Sequence, residues 1–255
     1  MKKIFRQSDE NYTNILNLIR IGKLEKSDNS NYELLLKQLN KPFPTNFKPT
    51  ILLSRRKDVD SINITEYTKL EGESKKYIID KIIVPLPKSN KITFTEEQIE
   101  NEYKYLMTNI MGEKEIELKI GTQVMCIANI DMDSNEQIVN GSQGVIIKFI
   151  NDLPLVQFNN GIKRVIGHHI WLSELIPSLG VKQIPLIYAW AITIHKSQGL
   201  SLEVAQIDAG SSIFECGQTY VDLSRVKSLE GLYLTDLNLK KIKVNKKVKQ
   251  YYEEL

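Results

Sequence analysis

The sequence predicts an α/β domain interrupted by a small β-barrel, on three observations. Apolar residues recur at helical spacing between capping and stop signals over the first 70 or so positions, on either side of one short apolar strand. From about Lys119 to Ile176 the texture changes to short β-rich runs separated by turn residues. After Pro185 a strand, a helix and another strand follow in order, as in an α/β sheet resumed after an insertion.

In chain order, residues 9–21 read as a helix with Tyr12, Ile15, Leu16 and Ile19 on one face, Ser8 as its N-cap and Gly22 as its stop. A Pro-rich stretch from Pro42 to Pro49 leads into a strand at Ile51–Leu53, and a second helix near 57–70 ends at Gly72. Thr95 and Gln98 form a capping-box pattern, opening a helix whose Ile99, Tyr103, Leu106 and Ile110 share a face and which Gly112 ends. The β-rich runs are Gln123–Ile127, Gly144–Phe149, Leu155–Phe158 and Lys163–Ile166, with Asn140-Gly141 and Asn160-Gly161 as turn signals. Val204–Ile207 reads as a strand, Gly217–Val226 as a helix and Gly231–Leu234 as a strand. The lysine-rich tail from Leu239 to Leu255 reads as a helix docked by Ile242, Val244, Val248 and Tyr251. The expected division is residues 1–118 and 178–255 for the α/β domain and 119–177 for the barrel.

Composition narrows the class without naming a function. Hydrophobic residues at 42% and charged residues at 25% are ordinary for a soluble globular chain. A net charge of +3 permits a nucleic-acid partner without demonstrating one. Cys126 and Cys216 lie far apart with no secretory signal before them, which argues for a reducing compartment. Four-ligand zinc is not expected, because the only other soft ligands are His168, His169 and His195 and no Cys-x-x-Cys occurs. No apolar run reaches the roughly 18 residues a membrane span needs. An intracellular protein is expected, with nucleus, cytoplasm and viral factory undistinguished.

The most informative segments are Ala191-Ile192-Thr193-Ile194-His195-Lys196-Ser197-Gln198-Gly199-Leu200 and Tyr220-Val221-Asp222-Leu223-Ser224-Arg225-Val226-Lys227-Ser228-Leu229-Glu230-Gly231-Leu232. They resemble helicase motifs V and VI of the petite-integration-frequency family of superfamily 1B DNA helicases, and more loosely those of RecD-like helicases. Phe5-Arg6-Gln7-Ser8-Asp9 resembles motif IV of that family. Leu118-Lys119-Ile120-Gly121-Thr122-Gln123-Val124-Met125, with Val139-Asn140-Gly141-Ser142 after it, resembles the start of its inserted barrel. The matches run in order along most of the chain. The resemblance implies a RecA-like second motor domain of the P-loop NTPase type, carrying an inserted Src-homology-3-like barrel. It also implies 5′-to-3′ translocation on single-stranded DNA driven by ATP and magnesium, with roles in DNA repair, recombination and telomere maintenance.

The residue types fit such chemistry. A transferring phosphoryl group is stabilised by a guanidinium, a rigid fork of donors that stays protonated. The resemblance puts Arg225 at the arginine-finger position and Arg6 beside the same phosphate; the ordinary fate of either arginine alone is a surface ion pair. Thr193, His195, Lys196 and Ser197 supply hydroxyls, an imidazole and a cation suited to phosphate contacts without base readout, and by resemblance face the single strand. Gln198, Gly199 and Gln7 are assigned to the nucleotide cleft on the same ground. In the barrel, Lys148, Lys163 and Arg164 are candidate DNA contacts, while Phe149, Phe158 and Trp171 at strand spacing read as core. The tail lysines 240, 241, 243, 246, 247 and 249 read most simply as a solvated helix face, with help in DNA binding as the lesser alternative.

One part of such a motor is missing. No Gly-x-x-x-x-Gly-Lys-[Ser/Thr] occurs, and the nearest glycine pair, Gly141 and Gly144, lies in the barrel without the lysine. The chain starts four residues before the motif IV match, so a first motor domain is expected to be supplied from elsewhere, in cis or in trans. Asp222 departs from the family pattern, which usually has a small apolar residue there, and adds negative charge beside the finger position. Two readings stay open: one half of an ATP-dependent helicase, or a non-catalytic module or relic binding single-stranded DNA or a protein. A metabolic enzyme ranks last, since no acid/base or nucleophile constellation has convincing spacing.

Overall fold

The computed structural model describes Gln7 and residues 9–26, 29–45, 47–85, 94–132 and 136–253. In chain order its elements are α1 (Glu10–Ile21), α2 (Asn29–Leu36), β1 (Thr50–Leu53), α3 (Arg56–Thr68), β2 (Lys75–Ile78), β3 (Asp80–Ile83), α4 (Glu96–Asn109) and β4 (Glu115–Leu118). Next come β5 (Gln123–Cys126), β6 (Gln143–Ile150), β7 (Leu153–Phe158), β8 (Lys163–Val165), β9 (His169–Leu172), β10 (Leu179–Gln183), β11 (Leu186–Tyr188) and β12 (Ala191–Thr193). The chain closes with β13 (Ala205–Ala209), α5 (Gln218–Leu223), β14 (Leu232–Leu237) and α6 (Lys246–Glu253). It divides into two compact units: Met1–Glu66, Gly141–Gln143 and Ala189–Leu255 form the first, and Tyr67–Asn140 and Gly144–Tyr188 the second.

The first unit is built on a parallel sheet of order β12-β1-β13-β14. β1 and β13 bury every other residue and leave the alternates half-buried, and β12 buries Ala191 and Ile192 in succession, so neither face of the sheet is fully exposed. β12 lies at the edge, where a backbone N–H and C=O would go unpaired. The buried Asn63 of α3 finishes that edge: its side-chain amide donates to the Ala191 carbonyl and accepts the Ala191 N–H, both at 2.9 Å. Gln143 does similar work beside β1. Its Nε2 donates to Thr50 Oγ1 at 2.6 Å and the Val204 carbonyl at 2.9 Å, and its Oε1 accepts the Glu203 and Val204 N–H groups.

α1 buries Tyr12, Ile15, Leu16 and Ile19, the face its spacing predicts. Its N-cap is Asp9, whose Oδ1 accepts the Tyr12 N–H at 3.1 Å; the expected cap, Ser8, lies outside the described residues. Gly22 stops the helix in the left-handed region at φ 67°, with Lys23 N–H reaching back to the Leu18 carbonyl in a Schellman closure. The tail departs from the single helix expected. Asn238 and Asn245 side chains accept the N–H groups of Lys240 and Lys247, so each asparagine starts its own turn, a 3-10 turn at Leu239–Lys241 and then α6.

The second unit holds a five-stranded sheet of order β11-β5-β6-β7-β8 and a smaller one of order β3-β10-β9. Val124, Cys126, Ile138, Ile146, Val156, Phe158, Ile166 and Leu186 fill the core of the first, and Phe149 packs against it. Two hairpins shape it. Asn160-Gly161 turns β7 into β8 with Gly161 at φ 87°, as its sequence signals. Asn151-Asp152 turns β6 into β7 with φ of 48° and 60°, the backbone of a type I′ turn. The smaller sheet packs with α4 through Tyr103, Leu106, Leu179 and Val181, with Trp171 partly buried against them. The α4 capping box forms as predicted.

This unit is wider than a 119–177 insertion. β2 pairs with β4, β3 pairs with β10 (Ile82 opposite Gly180), and α4 packs on β10, which brings residues 67–118 into it. Those partners are remote in sequence, so local pattern could not see them.

Gly231 is the glycine that the first sheet cannot replace, because a Cβ there would stand 1.7 Å from the Glu203 carbonyl oxygen, a backbone atom. Gly231→Ala should cost about 3 kcal/mol or more in urea unfolding, because backbone must move. Gly161→Ala, with open space around it but a positive φ of 87°, should cost only about 1 kcal/mol. Equal losses at the two positions would contradict this account.

Candidate functional site

The segment after β12 is one tight turn. Ile194 N–H continues the β1 pairing by donating to the Leu53 carbonyl at 2.9 Å. Thr193 then caps the turn: its Oγ1 accepts the Lys196 N–H at 3.1 Å and its carbonyl accepts the Ser197 N–H at 3.0 Å. Ser197 is fully buried and gives its hydroxyl to the Ile194 carbonyl at 2.7 Å, so it does not face outward as the sequence reading expected. His195, Gln198 and Gly199 are exposed, Thr193 and Lys196 half-buried, and Gly199 takes a φ of 84° to leave the turn.

The chain then runs against the residues that follow α5. Leu202 N–H donates to the Arg225 carbonyl at 2.8 Å and Lys227 N–H to the Leu202 carbonyl at 3.0 Å, a parallel bridge between Leu202 and Val226. Gly217, in the left-handed region, begins α5, and Arg225 follows its last turn with Nε donating to the Val221 carbonyl at 3.1 Å.

The start of α1 holds the same loop from another side. Gln7 Nε2 donates to the Ser224 carbonyl at 3.0 Å and reaches the Val226 carbonyl at 3.4 Å. Tyr12, wholly buried, donates its hydroxyl to the Leu223 carbonyl at 2.6 Å, and burial pushes its phenol far up. Asp9 Oδ2 accepts the Leu229 N–H at 3.4 Å. Gln7, assigned from sequence to a nucleotide, thus spends its amide N–H on the backbone flanking Arg225. Asp9 and Tyr12 were missed as positioning groups; the only hint was polar atoms at the start of an otherwise apolar helix face. Arg6 lies outside the described residues.

The barrel candidates belong to the second unit. Lys148 on β6 and Lys163 on β8 are exposed, whereas Arg164 is ion-paired to Asp131 at 2.6 Å and to Glu136 at 3.8 Å. His169 stacks edge-on to Trp171 at 4.6 Å. Among the described residues no three His, Cys, Asp or Glu side chains are grouped to hold a metal, and no helix is long and apolar enough to cross a membrane.

Residues 103–149 match the family described as DNA helicase Pif1, 2B domain. The ATP-dependent DNA helicase PIF1 of Xenopus laevis is 33% identical over 263 residues, which takes in 100% of this chain and 38% of the relative. The crystal structure of Pif1 helicase from Candida albicans superposes with a TM-score of 0.67 at 29% identity, over 99% of this chain and 59% of that one. A double mutant of Pif1 helicase from Bacteroides gives 0.73 at 26% identity, over 99% and 55%. Over its full length this chain is similar to part of the Pif1 helicases.

The parallel sheet of the first unit is the RecA-like motor fold of Pif1 proteins, and the second unit carries the 2B domain. The chain spans 38% of the length of its Xenopus relative. Asp222 stands out beside Arg225. It is 2% exposed, one turn before Arg225, and its Oδ1 has no hydrogen-bond partner. Burial raises its carboxyl to about 7, against the smaller opposing pull of a hydrogen bond from Gln218 and the charge of Arg225.

The pH consequence follows from that direction. In the unfolded chain the carboxyl ionises near 3.8, while in the folded chain it holds its proton to about 7. The penalty is therefore absent below pH 4, grows between the two values and is complete above neutrality. Asp222→Asn should raise Tm by roughly 3–6 °C at pH 8, about 1–2 kcal/mol, and by almost nothing at pH 4. A gain of equal size at both pH values would show that the buried charge is not its source.

Proposed function

We propose that this chain is the DNA-tracking, arginine-supplying part of an ATP-dependent 5′-to-3′ DNA helicase. It works with a nucleotide-binding motor domain that carries the phosphate loop absent from this sequence. The observation that carries the reading is the bridge between Leu202 and Val226, which ties the turn at 193–199 to the loop holding Arg225. A group that touches DNA and a group that touches phosphate must move together in a motor, and here they share a backbone ladder.

Thr193, His195 and Lys196 contact the phosphates of the single strand, and Ser197 holds their turn from inside. Lys148 and Lys163 add contacts from the 2B side, and Arg164 holds a barrel loop through Asp131. Arg225, with Arg6, reaches the transferring phosphate; Gln198 and Gly199 border the nucleotide, and Gln7 positions the finger loop. ATP with magnesium, bound to the partner domain, supplies the phosphoryl group. This chain's part is to place a permanent cation against it when the cleft closes. The similarity to the Xenopus relative, an ATP-dependent DNA helicase, supports the reaction class.

A second reading, a DNA-binding module without catalysis, draws on one observation: the buried carboxyl of Asp222 beside Arg225 opposes the finger's charge.

Mixing the purified chain with a Pif1-type nucleotide-binding domain decides between them. DNA-stimulated ATP hydrolysis should exceed that of the partner domain alone, and Arg225→Ala should lower kcat about 10³-fold while leaving DNA affinity within a factor of two. Full turnover with Arg225→Ala would remove the finger assignment, and no stimulation with any partner would favour the binding module.

A further inference from the structure

The positive charge of this chain is concentrated in one place. The whole sequence carries a net +3, yet residues 240–249 hold six lysines and no acidic residue, so the remainder sums to −3. A lysine run is often a loose, solvated tail, but this one is ordered and fastened. Asn238 and Asn245 start its two turns, at 3.0 and 2.9 Å to the N–H groups of Lys240 and Lys247. The Lys243 carbonyl accepts the N–H of Gly217, the residue that begins α5, at 2.7 Å. Val244 lies so close to Gly22 that a Cβ there would stand 3.1 Å from its Cγ2. Ile242, Val244 and Val248 line a cavity of about 270 Å³ shared with Ile19 and Tyr220.

Ile242 and Val244 are thus half-buried against the domain, with Val248 41% exposed at its margin, while Lys240, Lys243, Lys246, Lys247 and Lys249 are exposed. None of these five pairs with a carboxylate among the described residues. Tyr251, 59% exposed, stands on the same short helix.

We propose that this lysine ridge is a second nucleic-acid surface, separate from the 193–199 turn, which holds the phosphate backbone of single-stranded DNA by charge alone. Closely spaced ammonium groups on flexible stems make point contacts with a repeating anion and carry no base readout. Each phosphate they neutralise releases a counterion. The net negative remainder of the chain concentrates that attraction on the ridge instead of spreading it. The inference does not rest on the helicase reading, since none of its residues belongs to the 193–225 site.

The test is fluorescence anisotropy of a labelled 20-nucleotide thymidine strand with the full chain, titrated from 50 to 300 mM NaCl. The probes are the wild type and a variant with Lys240, Lys243, Lys246, Lys247 and Lys249 all changed to Gln. The variant should bind at least about 10-fold more weakly at 50 mM salt. Its slope of log K against log salt should be shallower by about 0.7 for each lysine engaged. Thermal melting checks the fold, and Lys246→Gln/Lys247→Gln/Lys249→Gln, confined to α6, gives the same readout at about half the size if the larger set unfolds. Identical affinity and slope in wild type and variant would overturn the proposal. So would lost binding to phosphatidylserine vesicles with the DNA curve unmoved. A parallel Thr193→Ala/Lys196→Ala variant separates the two surfaces: its own loss bears on the turn, whereas the slope change from the tail variant bears on the ridge.

Discussion

Two backbone hydrogen bonds, from Leu202 N–H to the Arg225 carbonyl and from Lys227 N–H to the Leu202 carbonyl, are the constraint on which the candidate site depends. They make the strand leaving the 193–199 turn and the loop leaving α5 into one ladder. Neither segment is regular structure in its own right, so neither could hold its shape without the other. The start of α1 completes the arrangement through Gln7, Asp9 and Tyr12, whose side chains serve Ser224, Leu229 and Leu223. Backbone carbonyls around Arg225 are thereby satisfied from two independent directions. The main chain that carries Arg225 is thereby set, and its Nε is itself held to the Val221 carbonyl.

Asp222 sits inside this arrangement and works against it. A buried carboxyl with an orphan oxygen is a cost that a small apolar residue would avoid. Burial dominates over the Arg225 charge in setting its proton affinity, so the desolvation is only partly offset by that ion. At neutral pH the site is poised between a neutral acid and a carboxylate one helical turn from Arg225. Those two states present different fields to Arg225, and the loop geometry alone does not choose between them.

Much of this was legible in the sequence, for reasons that are local. The face of α1, the Thr95–Gln98 box and the Asn160-Gly161 hairpin depend on neighbours within a few residues, and each forms as read. The Asn151-Asp152 turn went unread because neither residue is glycine, though both accept positive φ. The extent of the second unit could not be read, because β3 finds β10 and β2 finds β4 across long stretches of chain. Motif identity singled out Arg225 and the turn after β12 but did not distinguish outward from inward side chains. Ser197 looks like its neighbours in sequence, yet the capped turn carries it into the core. Arg164 likewise resembles any exposed barrel cation until Asp131 is placed against it.

The buried amides extend the same point to stability. Asn63, Gln143 and Gln7 each spend a side-chain amide where a short parallel sheet or its loops leave backbone groups unpaired. A four-stranded parallel sheet with a three-residue edge strand cannot satisfy its own margin, and burial excludes water at Asn63 and Gln143. An apolar residue at 63 would fill the space but orphan both polar groups of Ala191, each costing about 1–3 kcal/mol. The edge strand it secures is the one that launches the 193–199 turn. A buried, uncharged side chain on α3 therefore fixes where Thr193 and His195 stand, and a search confined to charged or exposed residues would pass over it.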